Sequence, residues 1–211
     1  FINVWPAVKD AIFHAIDFFR SQYRIPVSRL LPYPALLVPF TYFYLNNSSK
    51  PPNTRQIKLL TKYFWWASLS GRFSSAVESK LAQDFKKIDN ILNNEIPNYD
   101  GEELELKLDN VINRQFSTGD SFCKAIISLY AYYIPKSFAD NSLVRIDNSW
   151  LKVAFSKNYH HFFPKSFLRK RGLSDYESNS IVNITIVDDY LNKRSIGAKA
   201  PSDYMGTYKL E

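Results

Sequence analysis

The spacing of apolar residues changes near residue 140, and this change limits the fold more than any other feature of the sequence. Before that point apolar residues recur every three or four positions, which is typical of amphipathic α-helices. After it come short segments of β-branched and aromatic residues, which favour strands. The sequence therefore predicts an α+β chain in which a helical domain, residues 1–140, precedes a second domain, residues 141–211.

The expected helices and strands follow from these patterns and from the residues that flank them. The predicted helices cover residues 4–19, 54–69, 75–94 and 120–133. Either Asn53 or Thr54 can cap the second of them, and Gly71 follows its end. The predicted strands are the segments SLVRID, WLKVAF and IVNITIV. A short helix from Asp188 to Lys193 is expected after the last strand.

The chain is basic and contains a single cysteine. Its formal net charge of +7 and its pI near 9.3 favour a polyanionic partner, either nucleic acid or an anionic membrane surface. Cys123 alone excludes an internal disulfide framework and a multi-cysteine zinc site, and it suits a reducing compartment. The longest apolar run, residues 33–45, is shorter than the roughly 20 residues that span a bilayer. We therefore expect a soluble, cytoplasmic protein without a membrane partner, and the start at Phe1 suggests a piece of a larger protein.

Two of the three histidines, His160 and His161, are adjacent and precede a proline and a run of positive charge. Consecutive residues of a strand point to opposite sides, so two neighbouring rings are poor ligands for one metal ion but suit separate roles. One ring can bind a divalent cation while the other acts as a general base near neutral pH. Hydrolysis of a phosphodiester with one metal ion requires both roles.

Two asparagines lie among the apolar residues that follow the histidine pair. Asn183 lies within the last predicted strand, where asparagine is depleted, so its side chain is expected to have a hydrogen-bonding role. Asn192 lies in the predicted short helix and can supply an oxygen ligand to a hard cation. Asp188 and Asp189 come shortly before it, and one of them caps that helix or, alternatively, lends a carboxylate to the metal.

The segment HHFFPKSFL, followed by SIVNITIVDDYLNKRSIGAKAPSDY, resembles the HNH nuclease motif. This motif is also called the ββα-metal or His-Me finger, and the form it takes here is found at the C-terminal end of GmrSD-family restriction proteins. The resemblance covers residues 158–205 and includes, in order, the histidine pair with its proline, both asparagines and the K-x-P-S-x-Y ending. Residues 1–133 resemble the helical middle region of the same proteins. The resemblance implies a helical N-terminal part packed with a small ββα-metal nuclease module.

The same resemblance implies a role for each residue of the motif. His161 would be the general base that activates water, and His160 would be the first metal ligand. Asn183 would hold the loop that carries the base through hydrogen bonds to its backbone, and Asn192 would be the second metal ligand. Because both ligands are neutral, Mg²⁺ would be bound weakly and Mn²⁺ would suit the site better.

The resemblance further implies a metal-dependent DNA endonuclease or nickase. It would be the effector part of a modification-dependent restriction enzyme that defends a bacterium against phage, and the parent protein would begin with a nucleotide-dependent sensor domain. The basic residues expected to contact DNA phosphates are Lys165, Arg169, Lys170, Arg171, Lys193 and Arg194. Their alternative interpretation is a solvated surface.

Two other functions stay open at this point. The chain can be a module that keeps the fold, has lost the chemistry and binds DNA or docks on another protein. It can also be a nuclease that uses the same site on RNA. A divalent ion between His160 and Asn192 would decide against the first alternative, and substrate preference would decide the second.

Overall fold

The chain forms two compact units, Phe1–Glu105 and Leu106–Glu211. The computed structural model describes residues 3–25, 30–101, 104, 106–144, 146, 159–187, 196–206 and 208. Within these ranges the first unit contains only helices, and the second combines short helices with a two-stranded antiparallel sheet. The fold is therefore α+β and mostly helical, which confirms the predicted class.

Four α-helices make up the first unit as described. They are α1 (Trp5–Gln22), α2 (Leu37–Asn46), α3 (Thr54–Leu69) and α4 (Val77–Leu92). Helices α1, α3 and α4 confirm three of the predicted helices. Helix α2 was not among them, because it carries Pro39, which it accommodates in its first turn, where the missing N–H has no intrahelical partner to lose.

Asn53, and not Thr54, caps α3. The Asn53 side chain accepts hydrogen bonds from the backbone N–H groups of Arg55 and Gln56, and the Gln56 side chain accepts one from the Asn53 N–H in return. This reciprocal arrangement is a capping box, which satisfies backbone donors that the first turn leaves without partners.

Aromatic rings fill the core of the first unit. The rings of Tyr23 and Phe64 stack with their centroids 4.2 Å apart, and Phe19 meets Phe40 edge to face at 4.6 Å. Such pairs stabilise a core beyond the area that they bury. No helix in the described ranges is both long enough and apolar enough to cross a membrane.

The second unit alternates short helices with two short strands. Its elements are α5 (Leu108–Ile112), α6 (Ser121–Tyr132), β1 (Tyr159–His161), α7 (Lys165–Arg169), α8 (Asp175–Ser178), β2 (Ile184–Ile186) and α9 (Pro201–Met205). Helix α6 confirms the predicted helix at residues 120–133, and the side chain of Asp120 caps it by accepting a hydrogen bond from the N–H of Cys123. Strands β1 and β2 pair in the antiparallel sense, with His160 opposite Thr185 and His161 opposite Ile184.

Each face of this small sheet has its own apolar cluster. On one face Ile184 is buried together with Cys123 and Ile181, and Phe116 and Tyr159 pack at the margin. Val187, one residue beyond β2, belongs to a second cluster with Ile196 and Tyr204. Because strand residues alternate between faces, these clusters cover opposite sides of the sheet.

The predicted domain boundary near residue 140 falls inside the second unit. Helix α6 packs against β2, so it belongs with the sheet although its sequence pattern resembles that of the preceding helices. Residues 114–116 also run antiparallel to residues 179–181, joined through an isolated bridge between Gln115 and Ser180. These contacts lie far apart in the sequence, which is why local periodicity did not indicate them.

The last predicted strand, residues 181–187, is shorter in the structure. Ile181–Asn183 forms a 3-10 turn, and β2 begins only at Ile184. The side chain of Ser180 accepts a hydrogen bond from the N–H of Val182, which favours the turn over an extended strand. The prediction that Asn183 lies inside a strand was therefore wrong: it ends a turn.

The other predicted strands and the last predicted helix fall wholly or partly on residues that the structure does not describe. In SLVRID, Leu143 forms an isolated bridge with Lys136. The segment WLKVAF and the helix predicted at 188–193 lie outside the described residues.

We expect a fragment of residues 106–211 to fold and a fragment of residues 141–211 to remain unfolded. The longer fragment keeps α6 and the segment 114–116, which cover and pair with the strand region, whereas the shorter one loses them. The dispersion of amide signals in a two-dimensional NMR spectrum of each fragment measures the difference. A well-dispersed spectrum for residues 141–211 alone would contradict the unit boundary.

Candidate active site

Strand β1 places the two adjacent histidines on opposite sides of the sheet. By alternation His161 shares a face with Tyr159, whose ring packs against Phe116 with centroids 4.8 Å apart. His160 points to the other face. The sequence prediction that the two rings are separated, and so suit different tasks, agrees with this geometry.

His161 is half-buried, and its ring contacts the side chain of Asn179. Its Nε2 atom lies 3.1 Å from Oδ1 of Asn179. Burial lowers the pKa of His161, the hydrogen bond with Asn179 opposes that change, and the positive charge of Lys165 lowers the pKa further. The ring is therefore neutral near pH 7 and can accept a proton.

His160 has a buried ring nitrogen that lacks a partner. Its Nε2 atom is shielded from solvent and forms no hydrogen bond with the residues that the structure describes. A buried polar atom without a partner costs about 1–3 kcal/mol, so such an atom often marks a place where something else binds. Burial, together with the charge of a protonated His161, lowers the pKa of His160 to about 4. Metal ligation needs a neutral imidazole, and His160 meets that condition at neutral pH.

Asn183 ties down the loop that follows the histidine pair. Its Oδ1 accepts a hydrogen bond from the N–H of Phe163 at 2.8 Å, and its Nδ2 donates to the carbonyl of Phe163 at 3.0 Å and to that of Ser178 at 2.9 Å. Its own carbonyl accepts from the N–H of Phe162 at 2.7 Å. Asn183 is only 8% exposed. The described contacts are those expected of a residue that holds the loop through its backbone, although Asn183 does so from a turn.

Tyr204 on α9 holds the same loop from the other side. Its hydroxyl donates to the carbonyl of Phe162 at 2.6 Å, and the two rings meet edge to face with centroids 6.1 Å apart. Burial raises the pKa of Tyr204 to about 12, so the phenol keeps the proton that it donates. Tyr204 is the tyrosine of the K-x-P-S-x-Y ending, but no local pattern indicated this contact, because Phe162 lies 42 residues away along the chain.

Asn179 is a second residue of the site that sequence reasoning missed. It follows α8 directly, a position where asparagine is common for local reasons, and so it carries no sequence signal of its own. Only the structure brings it to His161.

The described basic residues differ in the contacts that their charged groups make. Lys170 is exposed, and Lys165, at the start of α7, is close enough to His161 to affect its pKa. The guanidinium of Arg171 lies 4.4 Å from the centre of the Phe167 ring, an arrangement that leaves its donors available to an anion. Arg169 is engaged with Asp175 at 2.8 Å.

Lys193, Arg194 and the predicted ligand Asn192 all lie outside the described residues. The same holds for Asp188 and Asp189. The structure therefore brings together His160, His161 and Asn183 but does not address the helix side of the predicted site.

Of the two predicted metal ligands the structure describes His160, whose buried Nε2 atom has no hydrogen-bond partner among the described residues. Within the described ranges there is no group of three or more His, Cys, Asp or Glu side chains that could enclose an ion. A metal held here would need further ligands from Asn192, from water and from a phosphate oxygen. One imidazole with oxygen ligands suits Mn²⁺ at least as well as Mg²⁺.

The chain is 29% identical over 192 residues to a protein of Methanocaldococcus jannaschii described as "Uncharacterized protein MJ0686", a match that covers 88% of this chain and 30% of the relative. The chain thus spans about 30% of the length of that relative. No family model matches the chain, and no solved structure matches it.

Replacing Asn183 with alanine should loosen the loop after β1. The substitution removes three side-chain hydrogen bonds and leaves buried backbone groups without partners, so we expect a loss of about 2–4 kcal/mol in local stability. Native-state hydrogen exchange of the Phe162 and Phe163 amides measures this loss. Asn110→Ala, the same change at an exposed position on α5, is the control and should alter it by less than about 0.5 kcal/mol. Equal effects of the two variants would contradict the role given to Asn183.

The stability of the second unit should fall as the pH drops from about 6.5 towards 4. In the unfolded chain His160 takes up a proton near its ordinary pKa of about 6.5, whereas in the folded chain its pKa is about 4, so acid favours unfolding across this window and not above it. His161 acts in the same direction. Urea titrations followed by the NMR signals of the second unit, at about pH 7.5 and about pH 5, measure the effect. In His160→Gln the difference between the two pH values should shrink, and an unchanged difference would contradict the lowered pKa.

Proposed function

We propose that this protein is a metal-dependent DNA endonuclease or nickase of the HNH type. The observation that carries the proposal is the arrangement of the histidine pair: two neutral rings on opposite faces of a small antiparallel sheet, followed by a loop whose backbone is fixed by an asparagine. This arrangement supplies a base and a metal ligand that do not compete for one position.

In the proposed reaction His161 accepts a proton from a water molecule. The oxygen of that water attacks the scissile phosphorus, and the bond from phosphorus to the 3′ oxygen breaks. A lowered pKa keeps His161 unprotonated at neutral pH, so it is ready to act as the base. A divalent ion bound by His160 and Asn192 would supply positive charge for the leaving 3′ oxygen.

Asn183 and Tyr204 keep the loop after β1 in place. Both bond to the backbone at Phe162 and Phe163, directly after His161, and so hold the chain next to the base. Fixed catalytic groups avoid the cost of reorganisation during the reaction.

The basic residues contribute unequally to the proposed DNA contact. Lys170 and Arg171 have charges available for phosphates beside the cleaved bond, whereas the charge of half-buried Lys165 also acts on Asp175 and His161. Arg169 has to leave Asp175 first, although an exposed ion pair of this kind is worth little and breaks easily. Lys193 and Arg194 keep their proposed role on the grounds of sequence alone.

The biological setting of the proposal rests on the resemblance to GmrSD-family proteins. The chain would be the effector part of a modification-dependent restriction enzyme in the cytoplasm of a prokaryotic cell, acting against phage. A nucleotide-dependent sensor domain of the same protein would be its partner.

One observation favours a second candidate function. Within the described residues the metal position has a single neutral protein ligand, so a related module can lose its metal and its chemistry with little structural change. The second candidate is therefore a catalytically inactive module that binds DNA or docks on a protein.

Cleavage of supercoiled plasmid in the presence of Mn²⁺ or Mg²⁺ tests the proposal. The unmodified protein should nick or linearise the plasmid, a chelator should stop it, and His161→Ala should lower the rate by about 10²-fold or more, the usual contribution of a general base. His14→Ala removes a histidine of the first unit, outside the site, and should retain full activity. Parallel reactions use phage DNA with modified bases and single-stranded RNA.

The outcomes separate the candidate functions. Cleavage of RNA alone would replace the DNA substrate with RNA. DNA binding without cleavage of any substrate would favour the inactive module. Equal activity of the His161→Ala and unmodified proteins would contradict the role of His161.

A further inference from the structure

We infer that Asn179 is a positioning residue that fixes the proton of the His161 ring on Nε2 and leaves Nδ1 as the nitrogen that accepts a proton. The hydrogen-bond geometry carries the assignment of the tautomer by itself. Its catalytic meaning rests on the proposed function.

The orientation of the Asn179 amide follows from its second partner. One end of the amide lies 3.0 Å from the carbonyl oxygen of Phe116. A carbonyl oxygen only accepts hydrogen bonds, so the NH₂ group must face Phe116. The opposite orientation would bring two oxygens together without a hydrogen between them. The Oδ1 atom of Asn179 therefore faces His161.

The state of the His161 ring follows from that orientation. Oδ1 of Asn179 is an acceptor, and it lies 3.1 Å from Nε2 of His161. The contact is a hydrogen bond only if Nε2 carries the proton. A neutral imidazole has one N–H group, so Nδ1 then carries the lone pair. The proton-accepting atom of the proposed base is thereby specified.

Asn179 itself is held rigidly. The backbone N–H of Phe116 donates to the carbonyl of Asn179 at 2.8 Å, in addition to the side-chain bond in the other direction. The N–H of Asn179 donates to the carbonyl of Asp175 at 3.1 Å, at the end of α8. α8 begins with a capping box formed by Ser174 and Glu177, which fixes its first turn. The backbone of Asn179 and its side-chain NH₂ group are thus held by partners other than His161.

The segment around Phe116 sets the geometry of the histidine as well as that of the asparagine. The ring of Phe116 packs against Tyr159, which lies on β1 two residues before His161 and on the same face. The backbone of His161 and the acceptor of its Nε2–H group are therefore fixed by one short stretch of chain. A residue next to a catalytic histidine that selects its tautomer typically affects activity without contacting substrate.

His160 differs from His161 in this respect. Its Nε2 has no hydrogen-bond partner among the described residues, so no acceptor described there holds a proton on that nitrogen. A ring that binds a cation needs an unprotonated nitrogen. A general base also needs that nitrogen to be the same one at all times, so that it faces the water. The contrast between the two rings matches the division of roles.

Long-range ¹H–¹⁵N NMR of the histidine rings tests the inference, and the chain has three histidines to assign. At neutral pH the His161 spectrum of the whole protein should show a protonated Nε2 and an unprotonated Nδ1, with the Nε2 proton slow to exchange with water. Asn179→Leu keeps a similar shape but has no acceptor, and the slowly exchanging Nε2 proton should disappear. A protonated Nδ1, or an unprotected Nε2 proton in the unmodified protein, would overturn the inference even if the variant failed to fold.

The kinetics of plasmid cleavage provide a second test of the role of Asn179. Asn179→Leu should lower kcat by roughly 10- to 100-fold while leaving the KM for DNA nearly unchanged, since the residue acts through His161 and not on substrate. A change in KM alone would overturn the positioning role.

The two claims fail in different ways. A protected Nε2 proton in a protein that cuts nothing would preserve the structural assignment and count against the nuclease. Nuclease activity in a protein whose His161 is protonated on Nδ1 would count against Asn179 alone.

Discussion

The hydrogen bonds of the Asn183 side chain hold the second unit's site together. They join Asn183 to the N–H and the carbonyl of Phe163 and to the carbonyl of Ser178. They therefore connect the end of β1, the end of α8 and the start of β2. An apolar residue could not replace Asn183, because it would leave the buried carbonyl of Ser178 and the partly buried backbone groups of Phe163 without these partners. Tyr204 adds one further bond to the same loop, on Phe162.

This fixed loop explains how so small a sheet can present two different histidines. A strand of three residues has little stability of its own, and it gains order here from the clusters on its two faces and from the bonds at its end. The sheet alternation then separates the rings, and burial makes both of them neutral. Each ring is left with a different neighbour: Asn179 for His161, and no described partner for His160.

Local signals predicted much of the chain. The helices follow from apolar spacing and from caps such as Asn53 and Asp120, both of which interact with residues two or three positions ahead. The need of Asn183 for hydrogen bonds was predictable because asparagine is unusual among apolar neighbours. Its place in a turn was not, because the segment has the composition of a strand.

Contacts between distant parts of the chain were beyond prediction. Asn179 and Phe116 are 63 residues apart, and α6 belongs to the sheet although its periodicity matches that of the first unit. Such pairings depend on the whole fold and leave no mark on the spacing of nearby residues. For this reason the sequence pattern predicted a boundary near residue 140 and indicated no role for Asn179.

We propose that the two faces of the sheet have different roles in catalysis. A metal ion would bind on the His160 side, and the general base would act on the His161 side. The anomalous diffraction of Mn²⁺ in crystals of the protein tests it most directly. We expect a manganese peak bonded to Nε2 of His160, with His161 free of metal and still bonded to Asn179. Manganese bound to His161, or no manganese at His160 in crystals that hold the ion elsewhere, would contradict it.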